Sequence, residues 1–514
     1  MESVLSTNQI EGREGLAGGS GAAAGAGRTW NWAEFWSGLW TVLGKHRHAA
    51  AGAVCVALAG AALVSAFHGG RLAAVVTPYP HDLAQVSFAV AGDVIPHEPV
   101  RAEAKAAGDD AQGWASLFSD VSDVLKGADF AFVNMETPVA PDHSKGTKPF
   151  MFDAPVALPE GLKASGIKIV SFANNHVMDQ GWAGFAETRD HLKETGLLFA
   201  GTSDNVATAW QPVFTEANGI KVGWLGMTRW LNGNRNPDKD DQPHVNFFPY
   251  PGESGGAPGA DEATVLAAVK AARAQCDLLV ISVHWGIEYA TAPRPEDVDI
   301  AHKMLEAGAT VIVGAHPHVL QPIETYRTQD GRDTVIFYSL GNFLSNQSRG
   351  YIDGLNPDSN GDPRDSMIGL FSAVRRDYGP AGVRVELGRV GMLPVWGENN
   401  RNEMAAGRAK TPDIRPILID RELPVLEAKL DELNKATGST AVNSAAPVGG
   451  PNAEALPGAK VAPEQGSDAL NADQKKEFID LTKQIKLLTD RRAQILARTG
   501  DDYVIAPPKV SAKQ

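Results

Sequence analysis

Side chains able to hold a cation or move a proton cluster at the ends of apolar runs in this chain. Asp93 and His97 follow VSFAVAG, Asn134 and Glu136 close the run FAFV, and Asn174, Asn175, His176 and Asp179 follow KIVSFA. His284 and Glu288 follow LLVISV, His316 and His318 follow TVIVGA, and Asn342 follows VIFYSLG. Taken alone, each has a plainer reading. Asp93 suits a turn after glycine, His284 suits a core position with a satisfied ring, and Asn174 with Asn175 suits a helix cap. The two histidines of GAHPH are harder to explain that way, because residues one apart at a strand end point to the same side and imidazole is the commonest metal ligand. Carboxylate, amide and imidazole without thiolate suit Mn, Fe or Zn in a two-metal hydrolytic site better than structural zinc.

These residues need a scaffold that brings strand ends together. Short β-rich runs alternate with amphipathic helical stretches, which predicts a layered α/β domain whose first half has a largely parallel sheet. The expected strands are VSFAV (86–90), FAFVNM (130–135), KIVSFA (168–173), LLFAG (197–201), LLVISVHW (278–285) and TVIVGAH (310–316). Gly219 in an Asn-Gly step and Gly331 in an Asp-Gly step predict hairpins, so antiparallel pairs join later and the sheet becomes mixed. Beyond Trp396 the strands are expected to cease. In such sheets ligands bind beyond the carboxyl ends of the strands, where distant segments meet.

The chain has 514 residues, 43% hydrophobic and 21% charged, room for two to three domains around sizeable cores. A net charge of -14 repels nucleic acid phosphates and excludes nucleic acid as a partner. Cys55 and Cys276 are too few for a disulfide framework or a thiolate metal site. Residues 49–67 carry no charge and are long enough to span a bilayer, with Lys45 and Arg47 on their amino side. A retained single-pass anchor in the cytoplasmic membrane is therefore expected, amino terminus inside and main domain outside. Residues 1–48 form the cytoplasmic tail, with an interfacial segment carrying Trp32, Trp36 and Trp40. The main domain is placed at 85–397, a helical extension at 398–438 with Leu426, Leu430 and Leu433 on one face, and a flexible linker at 439–468. An amphipathic helix or short coiled coil follows at 469–499, capped by Asn471, and a tail at 500–514.

The segments GDVIPH, NMETP, SFANNHVMDQG, ISVHWGIEY, VGAHPHVLQP and FYSLGNF, in that order, resemble the CapA family of bacterial poly-γ-glutamate capsule synthesis proteins, related to the calcineurin-like metallophosphoesterases. The resemblance covers about residues 85–395. It implies an α/β fold, a four-layer αββα sandwich of two mixed sheets with a metal site at their edge. Asp93, Asn175, His176, His284, His316 and His318 match the family pattern directly. The spacing from Asp93 to His97 is longer than in the phosphatases, and Glu136 stands nearest to the usual bridging carboxylate.

On this reading Asp93, His97, Glu136, Asn175, His284, His316 and His318 hold the metal. His176, steadied by Asp179, donates a proton to the leaving group. Asn174, Trp285, Glu288, Tyr289 and Asn342 contact substrate. The expected activity is metal-dependent hydrolysis or transfer at a phosphoester or related bond. The alternative is a non-catalytic subunit that binds an anionic polymer such as poly-γ-glutamate beside a membrane synthase.

Overall fold

The computed structural model describes residues 79–436 and 471–508, apart from 109 and 254–256. The expected membrane segment, the Trp-rich stretch before it and the linker at 439–468 lie outside the described residues. Among the described residues no helix is long and apolar enough to cross a membrane.

In chain order the first elements are β1 (His81–Val94), α1 (Glu98–Ala107), α2 (Ala111–Ser116), α3 (Ser122–Gly127), β2 (Phe130–Met135), α4 (Ala157–Ala164), β3 (Ile167–Ser171), α5 (Gly181–Thr195) and β4 (Leu198–Ala200). Next come β5 (Thr202–Ser203), β6 (Val213–Ala217), β7 (Ile220–Thr228), β8 (His244–Val245), α6 (Glu262–Arg273), β9 (Leu278–His284), α7 (Pro295–Glu306) and β10 (Val311–Ala315). The last group is β11 (Ile323–Arg327), β12 (Asp333–Phe337), β13 (Asn342–Leu344), β14 (Asp365–Asp377), β15 (Val383–Asn399), α8 (Arg401–Ala405), β16 (Ile414–Leu418), α9 (Ile419–Ala436) and α10 (Ala472–Thr499).

Two large mixed sheets result. One runs β16-β15-β14-β1-β2-β3-β4, with β13 beside β1, and the other runs β11-β12-β10-β9-β7-β6. Their inner faces share one apolar cluster, in which Phe88, Phe132 and Phe371 of the first sheet meet Trp224, Val280, Val313 and Phe337 of the second. Trp224 stacks on Phe132 with centroids 5.8 Å apart, and its indole N–H donates to Thr215. Because strand side chains alternate, the next residues along face outward. Ala89, Ala131, Val133 and Val170 therefore pack against helical residues such as Trp114, Leu158, Leu162 and Phe185. On the second sheet Leu225, Leu279 and Ile281 pack against Val265 and Val269 of α6 and Ile300 and Met304 of α7. Burial on both faces explains why the central strands read as continuous apolar runs.

The Asn-Gly turn is as expected: Ala217 pairs with Ile220, leaving a two-residue loop in which Asn218 and Gly219 have φ 52° and 71°. At Gly331 the hairpin has a longer loop, since Arg327 pairs with Asp333. The expectation that strands cease at Trp396 is corrected. β15 continues to Asn399, and β16 adds an edge strand through pairs such as Trp396 with Ile417. Pro416 in RPIL obscures that strand in the sequence, and an edge position is where a sheet tolerates proline.

The terminal helix α10 starts in a capping box, with Asn471 and Gln474 each accepting the other's backbone N–H. Its apolar stripe is used within the chain. Leu481, Leu488 and Ile495 are buried in the same cluster as Trp396, Ile417 and Leu426.

Glu103 of α1 ties that helix to β16 by accepting the N–H of Ile414, and burial raises its carboxyl to about 7. A carboxyl raised on folding holds its proton more tightly in the native state, so stability falls as pH rises from the unfolded value through about 7. Glu103→Gln keeps the acceptor and removes this loss. Urea midpoints are expected to differ little between wild type and Glu103→Gln at pH 4.5, and to favour the variant increasingly up to pH 8.

Candidate metal centre

Gly92 precedes the first acidic residue because β1 runs close beside the Leu340–Asn342 segment there; a Cβ on it would collide with the carbonyl oxygen of Gly341. That close approach sets Asp93 between Asn134 of β2 and Asn342 of β13 in register. From the second sheet, Ala315 at the end of β10 pairs with His284 at the end of β9. The carboxyl ends of both sheets therefore open on the same place.

Asp93 is fully buried. Its Oδ1 accepts from Asn134 Nδ2 at 2.8 Å and its Oδ2 lies 3.1 Å from His318 Nδ1. Asn342 Oδ1 is also 3.1 Å from that Nδ1. Two oxygens facing one ring nitrogen assign the proton to Nδ1 and leave the lone pair on Nε2. His176 is held similarly, with Nδ1 2.8 Å from Asp179 Oδ2. His284 presents Nε2 to Asn175 Oδ1 at 2.9 Å.

Glu136 lies at the centre. Its Oε2 accepts from Asn134 at 3.2 Å, but its fully buried Oε1 has no hydrogen-bond partner. The Nε2 atoms of His176, His284 and His318 stand 3.9, 3.8 and 3.8 Å from that oxygen. These distances are too long for hydrogen bonds. For His284 and His318 they suit ligands of a common ion, since donors about 2.0–2.2 Å from one centre lie roughly 3–4 Å apart, while His176 Nε2 borders that set. His316 Nδ1 is likewise buried without a partner. Donor atoms of Asp93, Glu136 and His284, and of Glu136, His316 and His318, lie within 4.8 Å of one another.

The electrostatics agree with that geometry. Burial, then the Asp93 carboxylate, raises Glu136 well above the usual carboxylate range. Burial, then neighbouring imidazoles, lowers His284 and His316 well below the usual histidine range. Neutral imidazoles are in their ligating form, and a buried carboxylate pair needs a compensating positive charge before both can ionise. The residues present fit a divalent cation.

The backbone at GAHPH differs from the expected strand end. His316 and His318 have φ 98° and 58°, so two left-handed residues around Pro317, rather than strand alternation, turn both rings inward. Such conformations cost on the order of 1–3 kcal/mol each and persist where the surroundings over-determine them.

Several expected roles are corrected. His97 stands outside the cage: its Nδ1 accepts the N–H of Asn346 at 3.2 Å, its ring lies against Phe152, and burial and His318 push its pKa down to about 4. Trp285 does not face substrate, because strand alternation turns it away from His284 into the outer core, where its indole donates to Tyr338 O. Asn174 is fully buried, donating to Met135 O and accepting the N–H of His176. Asn342 is buried and spends its amide on His318, Gln347 and Pro363. Glu288 and Tyr289 are exposed at the rim, Tyr289 with its ring 6.1 Å from that of His318. Beside them a groove of about 760 Å³ is lined by Tyr289, Gln347, Ser348, Tyr351, Asn360 and Asp362.

Asn134, which touches Asp93, Glu136 and His284, was visible in sequence as the residue two before Glu136 and so on its face of β2. Phe152, 4.4 Å from the His176 ring and donating its N–H to Asp179, comes from a loop with no signal of its own.

The family model described as bacterial capsule synthesis protein PGA_cap matches residues 87–347. Capsule biosynthesis protein CapA of Bacillus anthracis is 32% identical over 235 residues, covering 45% of this chain and 54% of that protein. PGA biosynthesis protein CapA of Bacillus subtilis (strain 168) is 30% identical over 275 residues, covering 53% of this chain and 66% of that protein. The matches thus span between about half and two thirds of these relatives' lengths.

The cage and His97 separate on metal content. His318→Ala is expected to lower bound divalent metal at least about 10-fold and His97→Ala to leave it unchanged, by elemental analysis after equilibration with Mn²⁺ or Zn²⁺.

Proposed function

This chain belongs to the bacterial capsule synthesis protein family PGA_cap, and from that premise we propose that it is a membrane-anchored, extracytoplasmic, metal-dependent hydrolase or transferase in capsule or poly-γ-glutamate assembly. The observation carrying this reading is the partnerless Glu136 Oε1 facing the Nε2 atoms of His284 and His318 in a buried, thiolate-free donor set, with His176 Nε2 at its border. Asp93, Glu136, Asn175, His284, His316 and His318 would hold one or two ions of Mn, Fe or Zn. A bound divalent cation supplies Lewis acidity and a water of lowered pKa.

The other steps fall to side chains. His176, with its Nδ1 held 2.8 Å from Asp179 Oδ2, is oriented to deliver a proton from Nε2 to a leaving oxygen. Asn134 fixes Asp93 and Glu136 relative to each other and needs no proton exchange to do so. Glu288 and Tyr289, at the rim, orient the substrate, and the adjacent groove of about 760 Å³ receives its chain. A phosphoester or related bond is the proposed target, and an anionic polymer with its membrane synthase the proposed partners.

The full-length chain is assayed with a generic phosphodiester and with poly-γ-glutamate. His176→Ala is expected to retain metal and lose about 10²–10⁴ in turnover, the range for a general acid. Undiminished turnover in both His176→Ala and His318→Ala sinks the hydrolytic scheme, and polymer binding without turnover in any form favours the binding-subunit alternative. For the proposed topology, external protease on intact spheroplasts should digest the domain after residue 79 and spare an amino-terminal tag; protection of the domain contradicts it.

A further inference from the structure

The terminal helix α10 lies beyond the residues that match the family, yet it places a guanidinium deep in the domain. Arg491 is fully buried. Its Nε donates to Asp365 Oδ1 at 2.9 Å, its Nη2 to Asp362 Oδ1 at 2.9 Å and to Asp365 Oδ2, and its Nη1 to the carbonyl of Asp358 at 2.8 Å. Arg498, about two turns further along the same face of α10, holds the other oxygen of Asp362 at 3.0 Å. The whole turn from Asp358 to Asp365 is thus gripped from a segment more than a hundred residues later.

That turn reaches the cage through Asn342. The carbonyl of Pro363, between the two clamped aspartates, accepts from Asn342 Nδ2 at 2.9 Å. Ser366, next after Asp365, bridges to Gly341 and donates its hydroxyl to the Leu340 carbonyl. Asn342 therefore has its backbone neighbour and its amide N–H both fixed by the clamped segment. Its Oδ1 is what remains to face His318 Nδ1. The contacts run without a break from Arg491 through Asp362 and Asp365, Pro363 and Asn342 to an imidazole of the cage.

We infer that Arg491 is a positioning residue of the metal centre: it fixes Asn342, which together with Asp93 Oδ2 holds the tautomer and ring direction of His318, so the carboxyl-terminal helix supports the site. The inference rests on the cage being a cation site. Outer partners of ligating histidines typically contribute about 10–100-fold in metal affinity. A guanidinium suits the task because its planar fork grips two carboxylates at once, which an ammonium on a flexible stem does not.

The test is Mn²⁺ affinity of the full-length chain, measured with the metal alone, alongside visible spectra of the Co²⁺-loaded protein. Arg491→Lys keeps the buried positive charge opposite two aspartates, whereas an uncharged residue would leave them unpaired. Arg491→Lys and Asn342→Ala are each expected to weaken Mn²⁺ binding about 10-fold, with the double variant no weaker than the weaker single, as for residues acting on one path. Both are expected to shift the Co²⁺ bands, which a variant altering stability alone leaves unchanged once folded and loaded. Wild-type affinity and an unshifted spectrum in folded Arg491→Lys overturn the inference, as do losses that multiply in the double variant. If Arg491→Lys does not fold, the same comparison on Arg498→Gln, which removes only the second hold on Asp362, decides by the same criteria. A wild-type chain that takes up no Mn²⁺ overturns the cage reading itself.

Discussion

Two carboxylates, Asp93 and Glu136, are buried within one hydrogen-bond network, bridged by the amide of Asn134. Removing such charges from water is costly, and the buried rings of His284 and His316, pushed well below the usual histidine range, do not take up protons to neutralise them. Glu136 Oε1 and His316 Nδ1 are therefore left buried at the site without a partner. Around that point the fold spends a close glycine contact at Gly92 and two left-handed histidines, features that weaken an ordinary core.

The two sheets meet this demand by geometry. The first contributes Asp93, Glu136, Asn175 and His176 from the ends of β1, β2 and β3, and the second contributes His284, His316 and His318 from the ends of β9 and β10. Each sheet is already fixed by a shared apolar core running beneath the site, so the polar groups are held by packing that does not depend on them. Strand alternation sorts neighbours to opposite fates. His284 enters the cage while Trp285, one residue on, fills the layer against Tyr338.

The carboxyl-terminal part of the chain is integral to this body. β14 and β15 complete the first sheet, and α10 covers it with an apolar stripe that includes one buried charge. A buried arginine facing two aspartates contributes less to net stability than its contacts suggest, because desolvation offsets the attraction. What it supplies is a single arrangement of the turn at 358–365, on which Asn342 leans.

Much of the site was legible in the sequence. Polar residues closing apolar runs located Asp93, Glu136, Asn175, His176, His284, His316 and His318, because strand ends in an open α/β sheet are where ligands bind. The Asn-Gly hairpin and the Asn471 cap were equally plain, since both rest on local backbone preferences. Edge strand β16 was hidden by its proline, and the roles of Trp285, Asn174 and Asn342 depended on which way a side chain turns after its strand ends. His97 fell outside because a neighbouring loop claims its Nδ1. Local pattern determined which residues carry chemistry. Only the packing of two sheets and a distant helix decided which of them meet, because contacts between remote segments are set by the shared core and leave no periodicity in either segment.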